Sequence, residues 1–390
     1  MGEEVTFLAS FSGEMGTKRA ATQKVLKELV VKNLSSRAKI LGFSLKIEKF
    51  YGRLKIESQK GIENLLLSHF GLGRVAQFFP ITSDFDWHCL LPQRPFTFEI
   101  YLEKWEDSSC KEEALSLKRK LLSFLEEESL KRLSSWDNHP LEHLRFYLEG
   151  RREGLFLLKD PKPAPGGLPV GFSGRVLLLF SGGPDSILAA WLLLRRGLEV
   201  VLLFFDDQEE GRAKLVEETA AKLAFFTPQG KFRFLRYPFR KHLLEIQKGF
   251  STREQCFYCK SLMLEIGKGL LTKVEAEALA TGEILGEQAS QTLPALRFIS
   301  FGKGLVLRPV LTFTKEEVFA KLVEIGWEGK AKLPPCPFTP RRPRTLPRKD
   351  PSKILKTLQK LAKIAVKVEE KFVYYGENNE DRNSFQASPF

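Results

Sequence analysis

The chain has 390 residues, a formal net charge of +13 and a hydrophobic fraction of 43%. This composition is that of a folded protein of two or three domains and excludes a fibrous or globally disordered chain. No apolar run has the length of a bilayer-spanning helix, and residues 1–10 lack the basic start of a signal peptide, so we expect a cytoplasmic protein without a membrane partner. The basic surplus favours a polyanion such as nucleic acid, although lysine that only aids solubility would give the same count.

The first 160 residues predict two small α+β units. Up to residue 81, the hydrophobic periods follow the order β-α-β-β-α-β, which is that of a ferredoxin-like unit. The second unit has a strand at 96–105, a long amphipathic helix at 113–132 and two paired strands around 150–154. The stretch 161–171 is rich in Pro and Gly and predicts a linker.

The third region alternates between strands and helices. The apolar run 176–180 is typical of a strand buried on both faces of a parallel sheet, and a helix at 187–196 and a strand at 200–205 complete a βαβ unit. Further elements up to residue 325 predict a doubly wound α/β domain. After a basic run at 341–349, we expect a helix over 352–371 and disorder over Gly376–Phe390.

A loop with the sequence Ser181-Gly182-Gly183-Pro184-Asp185-Ser186 joins the first parallel strand to its helix. Its glycines let the backbone approach a ligand, and the amides and dipole of a helix N-terminus favour an anion. A phosphate chain suits this loop, although an ordinary capped turn uses the same residue types. The next strand ends at Phe205, Asp206 and Asp207, on the edge where open α/β sheets bind nucleosides; a solvated turn is the alternative.

The loop resembles the PP-loop of ATP pyrophosphatases. Several other stretches are similar, in the same order, to the tRNA 4-thiouridine synthetase family, also called ThiI proteins, and the resemblance covers about residues 1–345. These stretches are Glu14-Met15-Gly16-Thr17-Lys18, Tyr51-Gly52-Arg53-Leu54, Gly166-Gly167-Leu168-Pro169-Val170-Gly171, Thr281-Gly282-Glu283-Ile284-Leu285-Gly286, Ser290-Gln291-Thr292-Leu293 and Leu307-Arg308-Pro309-Val310.

The resemblance implies four segments: a ferredoxin-like domain (1–80), a THUMP-like RNA-binding domain (81–165), a PP-loop catalytic domain (166–345) and a basic helical tail (346–390). It implies that ATP, with Mg²⁺, adenylates the C4 oxygen of a tRNA uridine at position 8, and that sulfur displaces AMP to give 4-thiouridine. The sulfur donor would be sulfide or the persulfide of a cysteine desulfurase, and the protein a possible homodimer. The sequence after residue 345 leads us to expect a variant without the rhodanese-like domain of some relatives.

The resemblance also implies residue roles. Asp185 would be catalytic. Apart from the resemblance, the net charge and the clusters of cations predict electrostatic contact with tRNA at Lys18, Arg19, Arg53 and the basic run 341–349, unless that run is only a solvated linker. Alternatives are an enzyme that modifies another base and a tRNA-binding module with a non-catalytic ATP site. The residues expected to bind the nucleotide are Ser181, Gly182, Gly183, Asp185, Ser186, Phe205, Asp206, Gly282, Gln291 and Arg308.

Three of the five cysteines form a candidate sulfur site. An odd number of cysteines argues against a disulfide framework. Cys256 and Cys259 precede a predicted helix, whose dipole we expect to lower their pKa, and Cys336 falls where the family carries its catalytic-domain cysteine. Three thiolates suit a 4Fe-4S cluster with one open iron, which makes all three candidate metal ligands and catalytic residues.

Three alternatives to the cluster are open. One is a redox pair with a persulfide on Cys336, and another is a set of buried thiols without function. The third is zinc, for which His242 is the nearest fourth ligand, although such a residue is more often a surface histidine. Cys89 and Cys110 match no motif, and we expect both to be structural.

Overall fold

The computed structural model describes residues 4–134, 140–327 and 336–376. The chain divides into two compact units, the first made of Met1–Lys18 and Gly42–Gly166, the second of Arg19–Leu41 and Gly167–Phe390. None of the helices in the described ranges is long and apolar enough to cross a membrane.

The elements of the described residues are as follows. The strands are β1 (Glu4–Phe11), β2 (Lys46–Phe50), β3 (Arg53–Gln59), β4 (Leu72–Ile81), β5 (Phe96–Trp105), β6 (Glu142–Arg151), β7 (Gly154–Pro163), β8 (Arg175–Leu179), β9 (Glu199–Asp206), β10 (Lys231–Pro238), β11 (Ala278–Thr281), β12 (Val306–Leu307) and β13 (Glu369–Tyr374). The helices are α1 (Gly13–Gly16), α2 (Ala20–Ile40), α3 (Glu63–Leu67), α4 (Ser108–Leu133), α5 (Pro184–Arg195), α6 (Arg212–Leu223), α7 (Arg240–Gly249), α8 (Gln255–Val274), α9 (Leu293–Ser300), α10 (Lys315–Glu324) and α11 (Pro351–Ala362).

The first unit is built on one seven-stranded sheet in the order β2-β3-β1-β4-β7-β6-β5. Helix α4 covers one end of it, because Leu117, Leu121 and Leu125 recur every four residues and pack on buried residues of β5 and β6. Asp107 caps this helix by accepting a hydrogen bond from the Cys110 amide at 3.0 Å. Strands of both predicted N-terminal domains share this sheet, and the boundary at residues 80 and 81 stays a prediction.

Helix α2 packs within the second unit, although the sequence placed it inside a ferredoxin-like domain. The amide of Asn33 donates to the Val170 carbonyl at 2.9 Å. The guanidinium of Arg37 lies 4.9 Å from the centre of the Phe225 ring. These residues of α2 are buried, so the helix contributes to the core of this unit.

The second unit contains a six-stranded sheet in the order β12-β11-β8-β9-β10-β13. Its first five strands in the chain are parallel, and β13 is antiparallel to β10. The chain runs from β8 outward to β9 and β10, then crosses back to β11 on the other side of β8. This reversal is the topological switch point of a doubly wound sheet, where a crevice opens at the carboxyl ends of the strands. The predicted α/β fold class is confirmed.

The tail differs from the predicted helix over 352–371. Helix α11 ends at Ala362, and residues from Glu369 onward form β13. The backbone of Val373 pairs with that of Phe232, so the edge of the sheet draws this segment into a strand. Tertiary pairing outweighs local helix propensity here. Most of the predicted disordered segment, from residue 377 on, lies outside the described residues.

Candidate active site

The Ser181–Ser186 loop lies at the carboxyl end of β8. Gly182 has a φ of +75°, which glycine adopts without strain, and Pro184 is the first residue of α5. The Ser181 hydroxyl donates to the Ser186 hydroxyl at 3.2 Å and accepts from the Gly183 amide at 3.3 Å. The Ser186 hydroxyl donates to the Gly183 carbonyl at 2.9 Å. Hydroxyl groups and the free amides of a helix N-terminus therefore meet at one point, which suits a phosphate.

Gly282 follows β11 and faces this loop across the switch point. A Cβ atom on Gly282 would lie 2.8 Å from the Ser186 nitrogen and 2.9 Å from the carbonyl carbon and oxygen of Asp185. Only glycine fits this backbone-to-backbone contact without displacing the phosphate loop.

A cavity of about 350 Å³ opens at the ends of β8, β9 and β11. The phosphate loop borders it on one side, and Phe205, Phe239 and Met263 give it an apolar wall. A mainly apolar cleft with a few convergent polar groups is the usual form of a small-molecule site.

Asp185 is bound by a lysine that the sequence argument missed. The Lys315 ammonium donates to both carboxylate oxygens of Asp185, at 2.7 and 2.9 Å. Lys315 is the first residue of α10, and a capping box formed by Thr314 and Glu317 fixes that helix start. The Thr-x-x-Glu pattern in the sequence could have predicted the helix start, but not its contact with a loop 130 residues earlier.

A buried ion cluster lies beside the phosphate loop. Glu283 accepts from Lys260 at 3.3 Å, from Arg308 at 2.8 Å and from Thr281 at 3.1 Å. Burial alone would raise the pKa of Glu283, but Lys260 and Arg308 outweigh burial and hold this pKa below its ordinary value. Arg308, predicted to bind the nucleotide, thus has Glu283 and the Ser300 hydroxyl as its partners.

The other predicted nucleotide residues take different positions. Phe205 and Gln291 line the cavity. Gln291 is buried, and within the described ranges its Oε1 atom has no hydrogen-bond partner, which leaves that oxygen for a ligand. Asp206 is instead paired with Arg236, whose Nε donates to its Oδ2 at 2.8 Å. Asp207, not Asp206, borders the cavity.

The three candidate cysteines lie together near the cavity. Cys259 and Cys336 border it, and Cys256 stands one turn before Cys259 on α8. Burial raises the pKa of Cys256 and, more strongly, of Cys259, while the charge of Lys260 acts in the opposite direction. The expectation of a lowered pKa at the helix start is therefore wrong, because removal from water outweighs the helix dipole. Within the described ranges, no group of three His, Cys, Asp or Glu side chains is arranged to hold a metal ion.

His242 is buried, not a surface residue as expected. Its ring stacks on Phe239 with centroids 5.3 Å apart, and its Nε2 lies 3.3 Å from the Tyr237 hydroxyl. Burial lowers its pKa. These contacts place His242 in the core beneath α8, and it does not border the cavity that Cys259 and Cys336 line.

The predicted tRNA contacts differ in exposure. Lys18 and Arg19 are exposed. Arg53 is buried, and its two terminal nitrogens donate to the two carboxylate oxygens of Glu149, each at 2.6 Å. This geometry gives Arg53 a structural partner inside the first unit, and its contact with tRNA stays a prediction. Of the two remaining cysteines, Cys110 is buried and Cys89 is exposed.

Comparison with known proteins identifies the second unit. Residues 171–362 match the family model described as "Thiamine biosynthesis protein (ThiI)". The chain carries a ThiI-family domain. A probable tRNA sulfurtransferase of Methanothermobacter thermautotrophicus is 32% identical over 209 residues, which are 52% of this chain and 54% of that protein. One from Limosilactobacillus reuteri is 30% identical over 269 residues, 65% of this chain and 63% of that protein.

The resemblance to a solved structure extends beyond the ThiI domain. A 4-thiouridine synthetase, crystallised as an RNA complex with bound ATP, matches 94% of this chain and 100% of its own, with a TM-score of 0.74 and 25% identity. The match to the curated relatives is shorter: the chain spans about half the length of the first of them. The similarity in fold thus extends over 94% of the chain, whereas the family model matches residues 171–362.

Proposed function

We propose that this protein is an ATP-dependent tRNA sulfurtransferase that converts a uridine of tRNA, at position 8, to 4-thiouridine. The observation that carries this proposal is the shared cavity, which the phosphate loop, Cys259 and Cys336 all border. A nucleotide and a sulfur-bearing group can therefore meet at one substrate. The names of the curated relatives and the ATP and RNA of the solved neighbour support the same function.

The first step we propose is adenylation. The uracil C4 oxygen attacks the α-phosphorus of ATP, and pyrophosphate leaves toward the loop amides and the hydroxyls of Ser181 and Ser186. Lys315 is placed to stabilise negative charge that develops on the phosphates. Asp185 and Asp207 are carboxylates at the cavity that would be oxygen ligands for Mg²⁺, which prefers one or two carboxylates together with phosphate oxygens. Asp185 would have to exchange its contact with Lys315 for the ion.

The second step we propose is sulfur transfer at the three cysteines. Sulfur attacks C4 and AMP leaves with the original oxygen, which exchanges one C–O bond for one C–S bond. Cys256, Cys259 and Cys336 suit a 4Fe-4S cluster in kind, because thiolates are its usual ligands and Cys259 and Cys336 border the cavity, but within the described ranges they do not form a ligand set as placed. A bound cluster would supply an open iron for exogenous sulfide. In the competing proposal, the outer sulfur of a persulfide on Cys336 attacks C4, and the thiol of Cys256 or Cys259 then breaks the S–S bond. The product leaves as 4-thiouridine, and the resulting disulfide with Cys336 is reduced by an external thiol.

Nucleoside analysis of tRNA incubated with the protein, ATP and a sulfur source tests the function. We expect 4-thiouridine at position 8, dependent on ATP, whether the donor is sulfide or a cysteine desulfurase with cysteine. A different modified nucleoside would support an enzyme acting on another base. RNA binding with no modified nucleoside under either donor would support a binding module and contradict our proposal.

Anaerobic purification separates the two sulfur proposals. With a cluster, the protein is brown and contains about four irons per chain, and serine at Cys256, Cys259 or Cys336 removes both colour and activity. Serine at Cys89 or Cys110 is the matched control and should change neither. Iron-free protein that thiolates tRNA from a persulfide donor would contradict the cluster.

The homodimer remains a prediction from the resemblance, which light scattering of the purified protein would test.

A further inference from the structure

A basic segment follows Cys336, a residue that borders the cavity. We call residues 341–349 the strap; its sequence is RRPRTLPRK, with five cations and no acidic residue. Just before it in the same stretch of chain, Cys336 borders the cavity, and the Phe338 carbonyl accepts a hydrogen bond from the Gln255 side chain.

Four hydrogen bonds fasten the strap to two elements that border the cavity. At the start of α8, the Arg344 amide donates to the Arg253 carbonyl at 2.9 Å, and Arg253 Nε donates to the Arg342 carbonyl at 3.0 Å. The Arg348 amide donates to the Glu254 carboxylate, also at 3.0 Å. Beside the cavity residue Gln291, the Thr292 hydroxyl donates to the Thr345 carbonyl at 2.6 Å.

The Glu254 carboxylate makes one of these attachments rigid. It is buried, and while one oxygen accepts from the strap, the other accepts from the Tyr258 hydroxyl at 3.1 Å. Tyr258 is itself in the core of the second unit. Pro343 and Pro347 restrict the strap backbone further, since proline fixes φ. A solvated linker would need none of these attachments.

All four attachments use backbone atoms of the strap, so its charged side chains are left for another role. Arg341, Arg342 and Arg348 are exposed, and Arg344 is partly exposed. Within the described ranges, no carboxylate pairs with any of the four guanidinium groups. Unpaired arginines held in a row on a fixed backbone are the usual means of binding phosphate, because guanidinium matches phosphate geometry.

We propose that the strap binds the phosphodiester backbone of the RNA strand that enters the cavity, and so places the target nucleotide beside Cys336. The inference rests on the proposed function for the identity of the RNA. The phosphates next to the target nucleotide would then be bound by the segment that directly follows Cys336 in the chain. A sulfur-donor protein with an acidic surface is the competing occupant.

The salt dependence of tRNA binding tests this proposal. The variant Arg342→Gln/Arg344→Gln/Arg348→Gln removes three charges and keeps every backbone attachment. Each RNA phosphate that an arginine no longer neutralises makes the slope of log Kd against log salt shallower by about 0.7 to 0.9. We expect the slope of the triple variant to be shallower by about two to three, and its affinity for ATP to equal that of the wild type.

A matched variant controls for net charge. Lys214→Gln/Lys356→Gln/Lys360→Gln also removes three exposed cations of the second unit, none of them in the strap, and should leave the slope within about 0.5 of wild type, less than the effect of one neutralised phosphate. An unchanged slope in the arginine variant overturns the proposal even if the enzyme thiolates tRNA. An unchanged slope with selective loss of donor-protein-dependent thiolation assigns the strap to the donor and also overturns it. If the arginine variant has a shallower salt dependence but the wild-type protein does not thiolate tRNA, the proposed function is contradicted while the contact between strap and RNA is supported.

Discussion

A methyl group added at Gly282 tests whether the phosphate loop depends on close backbone contact with β11. In Gly282→Ala the new Cβ would approach the Ser186 nitrogen to 2.8 Å and the Asp185 carbonyl atoms to 2.9 Å. The atoms it meets are backbone atoms, so no side chain can rotate away and the loop must move. Overpacking of this kind costs about 1–3 kcal/mol of unfolding free energy. A displaced loop that loses one hydrogen bond to a charged phosphate should weaken ATP binding about tenfold to a hundredfold.

Calorimetric titration with ATP and urea denaturation together measure the two effects. Gly269→Ala is the matched control, because Gly269 lies in α8 with no atom within 4 Å of an added Cβ. That substitution should leave ATP affinity unchanged and stabilise the protein by up to about 1 kcal/mol, the difference in helix propensity. Wild-type ATP affinity in Gly282→Ala would refute the assignment of this loop to phosphate.

Three further predictions concern single side chains. Asp185→Ala should abolish thiolation while tRNA Kd stays within about twofold of wild type, measured by filter binding, since its partner Lys315 and the loop carry no part of the RNA contact we propose. Arg53→Met should lower the free energy of unfolding by about 1–3 kcal/mol, because buried Glu149 loses both hydrogen bonds from Arg53 and keeps only the one from Arg151 at 3.2 Å. Arg53→Met/Glu149→Leu should recover part of that loss in urea denaturation; a stable Arg53→Met that binds tRNA poorly would instead assign Arg53 to RNA. Burial lowers the pKa of His242, so the unfolded chain binds a proton more readily than the folded chain. The free energy of unfolding should therefore fall as pH drops below 6.5, the ordinary pKa of histidine. His242→Phe should flatten this pH dependence between pH 7.5 and 5.5, and an unchanged dependence would contradict the buried neutral ring.

The catalytic fold was predictable because local sequence and tertiary fold agree there. The run from Val176 to Phe180 has to be buried on both faces, and the glycines of the loop that follows it permit a conformation that few other residues adopt. The topology then follows, since parallel strands need crossovers and place their carboxyl ends on one edge. That is why Phe205, at the end of its strand, could be predicted at the nucleotide cavity that it lines. Gln291 lines the same cavity, but its place there was predicted from the family resemblance.

Other side chains were less predictable because their surroundings come from distant parts of the chain. His242 lies on an amphipathic helix, and which face is buried depends on Tyr237 and on core packing beneath α8. The thiol of Cys259 lies at a helix start, yet burial sets its pKa. The basic character of Arg53 is visible in the sequence, whereas its pairing with Glu149 comes from strands 96 residues apart.

The contrast between Arg53 and the strap shows which basic side chains are available to bind a polyanion. Both were predicted to contact tRNA from charge and position alone. In Arg53, both terminal nitrogens are bound to one carboxylate, so contact with phosphate would first require breaking a buried ion pair. In the strap, the backbone makes the attachments and the guanidinium groups keep their capacity for phosphate. A net charge of +13 therefore does not itself locate an RNA surface. The distribution of carboxylate partners favours the strap, the segment that follows the cavity residue Cys336.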